Sequence, residues 1–116
     1  MRKIGLLGGS FNPAHAGHVH ISLEALKRLQ LDEIWWLVSP QNPLKSKHEL
    51  EAYETRLRFA RESVCHPRIR VLDIEARHGL HYSIHTLRFL QARYRTTQFV
   101  WLMGADNLAN FHRWRS

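Results

Sequence analysis

Cysteine is almost absent: Cys65 is the only one in 116 residues. An internal disulfide is excluded, and a reducing, cytoplasmic location is expected. No apolar run is long enough to cross a bilayer, so no membrane partner is expected. The basic start, Met1-Arg2-Lys3, is followed by a short apolar run that soon meets glycines, which argues against a cleaved leader. Acidic side chains are scarce, 10 against 17 Lys and Arg, leaving a net charge of +7. That balance favours anionic partners. The basic residues are spread along the chain, which points to small phosphorylated ligands rather than nucleic acid. Solubility alone would also account for them. Neither G-x-x-x-x-G-K-[ST] nor G-x-G-x-x-G occurs, and there are no internal repeats or low-complexity segments. The length suits one domain, 1–116, large enough for a real core.

What is present centres on residues 4–18. The apolar run 4–7 reads as a buried strand. Gly8 and Gly9 are expected to end it and to let a ligand come close to the backbone. Asn12-Pro13 is a turn signal, and a helical pattern begins near Ala16. Strand, glycine turn and helix N-terminus together make a phosphate-collecting geometry. His15 and His18 stand three apart at that spot, where two imidazoles could donate to one phosphate. A Gly-Gly turn after a strand is commonplace, and H-x-x-H is also half of a metal site, though two ligands are weak evidence for zinc.

The rest of the chain alternates helix and strand. Residues 16–30 read as a helix with Val19, Leu23 and Leu26 inward. Residues 33–38 read as a strand covered on both faces. Residues 39–48 form a loop at its carboxyl end, where Lys45 and Lys47 could meet phosphates or simply stay solvated. A second helix, 52–65, carries the stripe Tyr53, Leu57, Ala60 and Val64. Arg56 and Arg61 are assigned to its far side, although an arginine near the helix start could face the site. Cys65 reads as a small buried residue. Residues 69–72 form a strand and 73–80 a loop. A third helix starts near Ser83, its N-cap candidate, with Ile84, Leu87, Leu90 and Tyr94 inward. Residues 98–103 form a last strand. The fold expected is α/β, a Rossmann-like parallel sheet in the order 3-2-1-4. Its switch point lies between the first and fourth strands, with Gly9 and Gly104 beside one crevice.

The string G-G-S-F-N-P-x-H-x-G-H resembles the signature of the nucleotidyltransferase superfamily, whose (H/T)-x-G-H core is His15-Ala16-Gly17-His18 here. The commoner form has Asp where this chain has Asn12. Three further segments resemble the nicotinate-nucleotide adenylyltransferase branch. Pro40, Asn42, Pro43 and Lys45 look like counterparts of its P-x-x-x-P-x-(H/K) loop. Residues 82–87 match Y-(T/S)-x-x-T-(L/I), a better fit than the S-x-x-T-x-(I/L)-R phosphate motif, which the family places after a later strand. Residues 104–114 resemble G-(A/Q)-D-x-L-x-x-F-x-x-W.

The resemblance implies that ATP and nicotinate mononucleotide give nicotinate adenine dinucleotide and pyrophosphate. It implies His15, His18 and Lys45 as catalytic residues. Gly8, Gly9, Ser10, Phe11, His15, His18, Gly104 and Asp106 would hold ATP, with Asp106 on ribose. Asn42, Lys45, Tyr82, Ser83 and Trp114 would hold the mononucleotide, with Trp114 stacked on the pyridine ring or, in the plainer reading, packed in the core. Mg²⁺ would ride on the triphosphate, without a protein cage. The resemblance covers only the family's N-terminal portion, without its further strand and S-x-x-T-x-(I/L)-R segment. The expectation is weak handling of ATP and a homodimer or swapped assembly over the fourth strand. A nucleotide-binding module with little turnover, and more remotely a nucleic-acid binder, remain the other function classes.

Overall fold

The computed structural model describes residues 1–11, 13–40, 52–80 and 83–102. Four strands form one sheet: β1 (Arg2–Gly9), β2 (Glu33–Val38), β3 (Ile69–Leu72) and β4 (Thr97–Trp101). Helices α1 (Ala16–Arg28), α2 (Tyr53–Ser63), α3 (Ile74–Arg77) and α4 (Ser83–Arg93) connect them. The strand order is β3-β2-β1-β4 and every pairing is parallel, as the alternation of apolar runs with helices implies.

Both faces of the sheet are covered, and the side chains of each strand divide between them with a period of two. Leu7, Ile34, Trp36 and Val38 face one core, together with Leu57 and Ala60 of α2 and Ala25 and Leu26 of α1. Ile4, Leu6, Trp35 and Leu37 face the other, with Ile74 and Leu90. A side chain would be crowded at two points of β1. A Cβ on Gly5 would lie 2.7 Å from Ile34 Cδ1 and 2.8 Å from Leu31 Cδ1, and one on Gly8 would lie 3.2 Å from Trp101 Cζ2.

Several expectations change. The glycines do not end the first strand: β1 runs through Gly9, which pairs with Val38. A Cβ on Gly8 would also press on Trp101, its neighbour in the sheet. On α1 the buried residues are His18, Ser22, Ala25 and Leu26, whereas Leu23 is 40% exposed beside a groove between Val19 and Ser63. Hydrogen-bonded polar residues took the inward face that apolar spacing assigned to Leu23. The helix stops at Arg28. Gln30 has φ 53°, and the Leu31 N–H returns to the Leu26 carbonyl, a Schellman closure built without glycine.

Cys65 is exposed, because α2 has already ended at Ser63. Residues 73–80 are not all loop. Ile74–Arg77 closes a helical turn that the Asp73–Arg77 ion pair, 3.1 Å, brackets. On α4 the buried positions are Thr86 and Leu90, while Ile84 is exposed; Tyr94 lies just past the helix, partly exposed, with its ring against Trp35 and Phe99. No helix among the described residues is long and apolar enough to cross a membrane.

Candidate functional site

The site is assembled where β1 and β2 end. Beyond Gly9 the chain passes through Ser10, buried, and Phe11, whose φ of 51° places a bulky residue in the left-handed region. Such a conformation costs on the order of 1–3 kcal/mol and persists only where surrounding contacts enforce it. Here the enforcing contacts are visible. The Phe11 ring stacks on Trp36 at 5.0 Å and lies 4.7 Å from the His18 ring. The Phe11 side chain is therefore part of the core.

His15 is the N-cap of α1, with extended backbone (φ −148°, ψ 178°). Its Nδ1 accepts from the Gly17 N–H at 3.0 Å, and His18 Nδ1 accepts from the His15 N–H at 2.9 Å. This is a reciprocal cap made by two imidazoles. It also fixes chemistry. A neutral ring whose Nδ1 accepts must carry its proton on Nε2. Each histidine is thus held as an Nε2 donor, with the rings 4.0 Å apart. The first turn of α1 holds no acidic side chain, so its positive end is not neutralised from within.

Ser22 supports this turn from below. Its buried hydroxyl donates to the His18 carbonyl at 2.8 Å and accepts from Trp36 Nε1 at 2.8 Å. The strand that supplies the core thereby also anchors the histidine.

The start of α2 grips the same strand ends. Tyr53 Oη donates to the Val38 carbonyl at 3.2 Å. Arg56, only 2% exposed, donates to the carbonyls of Ser10 (2.7 Å), Ser39 (2.8 Å) and Pro40 (3.0 Å). This overturns its assignment to the far side of the helix. Burial lowers the Arg56 pKa, but a guanidinium remains protonated.

Burial first, then the charge of Asp73, raises Tyr53 from 10.0 to about 12. The folded protein thus holds the phenol proton more tightly than the unfolded chain does. The stability this confers is whole below about pH 10 and is lost as pH rises towards 12. Tyr53→Phe should remove that component. The difference in unfolding free energy between wild type and variant is expected to shrink across this range, read by urea titration at each pH. A constant difference would contradict it.

At the other side of the sheet, Thr86 Oγ1 donates to Glu75 Oε2 at 2.8 Å, both groups buried near the start of α4. Ser83 is the first residue of that helix and is exposed. The structure thus brings together Gly8, Gly9, Ser10, Phe11, His15 and His18 at one strand end. Asn42, Lys45, Tyr82, Gly104, Asp106 and Trp114 lie outside the described residues. Arg56 was findable: Tyr53, Arg56, Leu57 and Ala60 have the spacing i, i+3, i+4, i+7, which puts all four on one helix face. Glu75 gave no comparable signal in a turn too short for periodicity.

The sequence model of the family described as "Cytidylyltransferase-like" matches residues 6–116. The chain belongs to the cytidylyltransferase-like family. This bears out the nucleotidyltransferase resemblance read from His15 to His18. A family relative from Cereibacter sphaeroides, named "Probable nicotinate-nucleotide adenylyltransferase", is 62% identical over 111 residues, covering 96% of this chain and 60% of that protein. A protein of the same name from Erythrobacter litoralis is 59% identical over 114 residues, covering 98% and 52%. The chain therefore spans between half and two thirds of the length of these relatives.

Among solved structures, a Plasmodium falciparum nicotinic acid mononucleotide adenylyltransferase complexed with NaAD superposes with a TM-score of 0.76. The identity is 18%, over 95% of this chain and 55% of that one. At that identity the likeness shows the fold, an independent match to the sheet of this cytidylyltransferase-like chain.

Proposed function

We propose that the protein transfers the adenylyl group of ATP to nicotinate mononucleotide, in the making of NAD. The observation that carries this reading is the His15–His18 pair, held as two Nε2 donors at the N-terminus of α1. The names of the relatives supply the substrates.

The acceptor phosphate is already ionised near neutral pH, so no protein nucleophile is needed. Its oxygen bonds to the α-phosphorus, and the bond from that phosphorus to the β-phosphate bridging oxygen breaks. The electron pair leaves with pyrophosphate. His15 and His18 donate to oxygens of the α-phosphate as charge builds there, and Lys45 adds a cation. Catalysis then consists of positioning and charge stabilisation. Gly8, Gly9 and the Ser10–Phe11 main chain meet the triphosphate. Gly104 and Asp106 complete the ATP side, Asp106 on ribose. Asn42, Lys45, Tyr82, Ser83 and Trp114 receive the mononucleotide. Mg²⁺ enters with ATP as part of the substrate, held by phosphate oxygens and water. A cytoplasmic location and pairing through β4, an edge among the described residues, belong to the same proposal.

Incubation with ATP and either nicotinate or nicotinamide mononucleotide, with the dinucleotide quantified by chromatography, tests the reading. Nicotinate adenine dinucleotide is the expected product, and its absence refutes the assignment. For the acceptor site, Trp114→Ala should weaken nicotinate mononucleotide binding by about 1–3 kcal/mol, the scale of base stacking on an aromatic ring. ATP binding should hold. Equal losses for both ligands in calorimetry, with a lower Tm, would mark Trp114 as a core residue instead.

A further inference from the structure

Arg56 is a buried cation that the proposed chemistry does not use. It sits on α2, yet its three carbonyl partners belong to other parts of the chain. Ser10 follows β1, and Ser39 and Pro40 follow β2. Its neighbour one turn earlier, Tyr53, holds the Val38 carbonyl and lies under the guanidinium at 5.3 Å. One helix start therefore grips Val38, Ser39 and Pro40 in succession, together with Ser10. The Ser39 N–H already reaches back to the Gly9 carbonyl at 2.8 Å, so the two strand ends are tied in both directions.

The tie leads to the histidines. The carbonyl held at 2.7 Å belongs to the peptide that enters Phe11. Phe11 is the residue in the left-handed region, and its ring packs on His18 at 4.7 Å. A shift of the Ser10 carbonyl would rotate that peptide and move the surface on which the His18 ring rests. A planar, five-donor guanidinium suits such a role, because it holds several acceptors in fixed relative positions where an ammonium acts as a point charge.

We propose that Arg56 is the positioning residue of this site. Through Ser10 and Phe11 it sets the place of His18 relative to the α-phosphate, and through the Ser39 and Pro40 carbonyls it fixes the end of β2 against the same point. The proposal rests on the adenylyl-transfer reading for its catalytic consequence but not for its geometry.

Arg56→Lys in the full protein tests it with two readouts. The first is amide hydrogen exchange followed by NMR. Ser10, Phe11 and Ser39 should exchange at least tenfold faster than in wild type, while Leu6, Leu7 and Trp36 stay within about twofold. The second is steady-state kinetics. The kcat should fall at least tenfold, with KM for ATP changed less than about threefold, because placement of His18 matters most in the transition state. Uniform acceleration of exchange across the sheet would reduce Arg56 to a structural residue and overturn the proposal. So would local loosening with an unchanged kcat.

If Arg56→Lys does not fold, the wild-type guanidinium decides. Its Nη protons should give separate signals protected from water. One averaged, rapidly exchanging signal would overturn the clamp. If wild type forms no dinucleotide, the adenylyl-transfer reading fails, and the exchange pattern alone then decides the positioning.

Discussion

His18→Asn is expected to lower kcat by roughly 10²-fold or more while leaving the fold nearly as stable as wild type. The two nitrogens of this ring do different work. Nδ1 accepts from the His15 N–H and closes the cap of α1. An asparagine oxygen can occupy that acceptor position. In the proposed reaction Nε2 is the donor to the α-phosphate, and asparagine has nothing there. Loss of one such donor costs on the order of 10²–10³ in kcat. His18→Ala should show the same kinetic loss plus a stability loss of more than about 1 kcal/mol, because it removes the cap acceptor and the buried ring packed on Phe11 and Trp36. Nucleotide affinity should change much less in both. Steady-state kinetics and urea titration on the pair separate the roles. Normal turnover by either variant would remove His18 from the catalytic machinery.

Trp36→Ala should be the most destabilising single change, at about 3–5 kcal/mol. The side chain is fully buried on β2, stacks on Phe11 at 5.0 Å and donates to Ser22 at 2.8 Å. Its removal opens a cavity of indole size and leaves Phe11 without the ring that holds it in a strained conformation. Domains of this kind have only about 5–15 kcal/mol in total, so much of the margin would go. Trp36→Phe keeps the stack and gives up the donor, so it should fall between wild type and the alanine variant. Urea midpoints measure the series. A Trp36→Ala variant within 1 kcal/mol of wild type would show that the Phe11–Trp36–His18 cluster is not what holds this turn.

The sheet was legible because its inner strands are strongly marked. Residues 34–38 are apolar on both faces, which suits a covered parallel strand, and the glycines of β1 sit beside them. The order of strands followed from alternation and short connections. Burial on the helices was less legible wherever a polar residue is buried by its hydrogen bonds. Ser22 and His18 occupy the inner face of α1 because each has partners there, and Leu23 is left at the surface. Arg56 is the same case: a charge on an apolar stripe is stable inside because carbonyls, three of them among the described residues, meet it. At the site, the spacing of His15 and His18 announced two imidazoles near one point. It did not announce that each would use one nitrogen to cap the helix and so fix where its proton resides. That depends on backbone geometry at His15, which no residue type specifies.

The most direct test follows the α-phosphorus of ATP. With ATP labelled at that position and nicotinate mononucleotide as acceptor, all transferred label should appear in nicotinate adenine dinucleotide, matched mole for mole by unlabelled pyrophosphate. Label appearing only in AMP or ADP, or remaining in ATP under conditions where both substrates bind, would contradict adenylyl transfer at the His15–His18 pair.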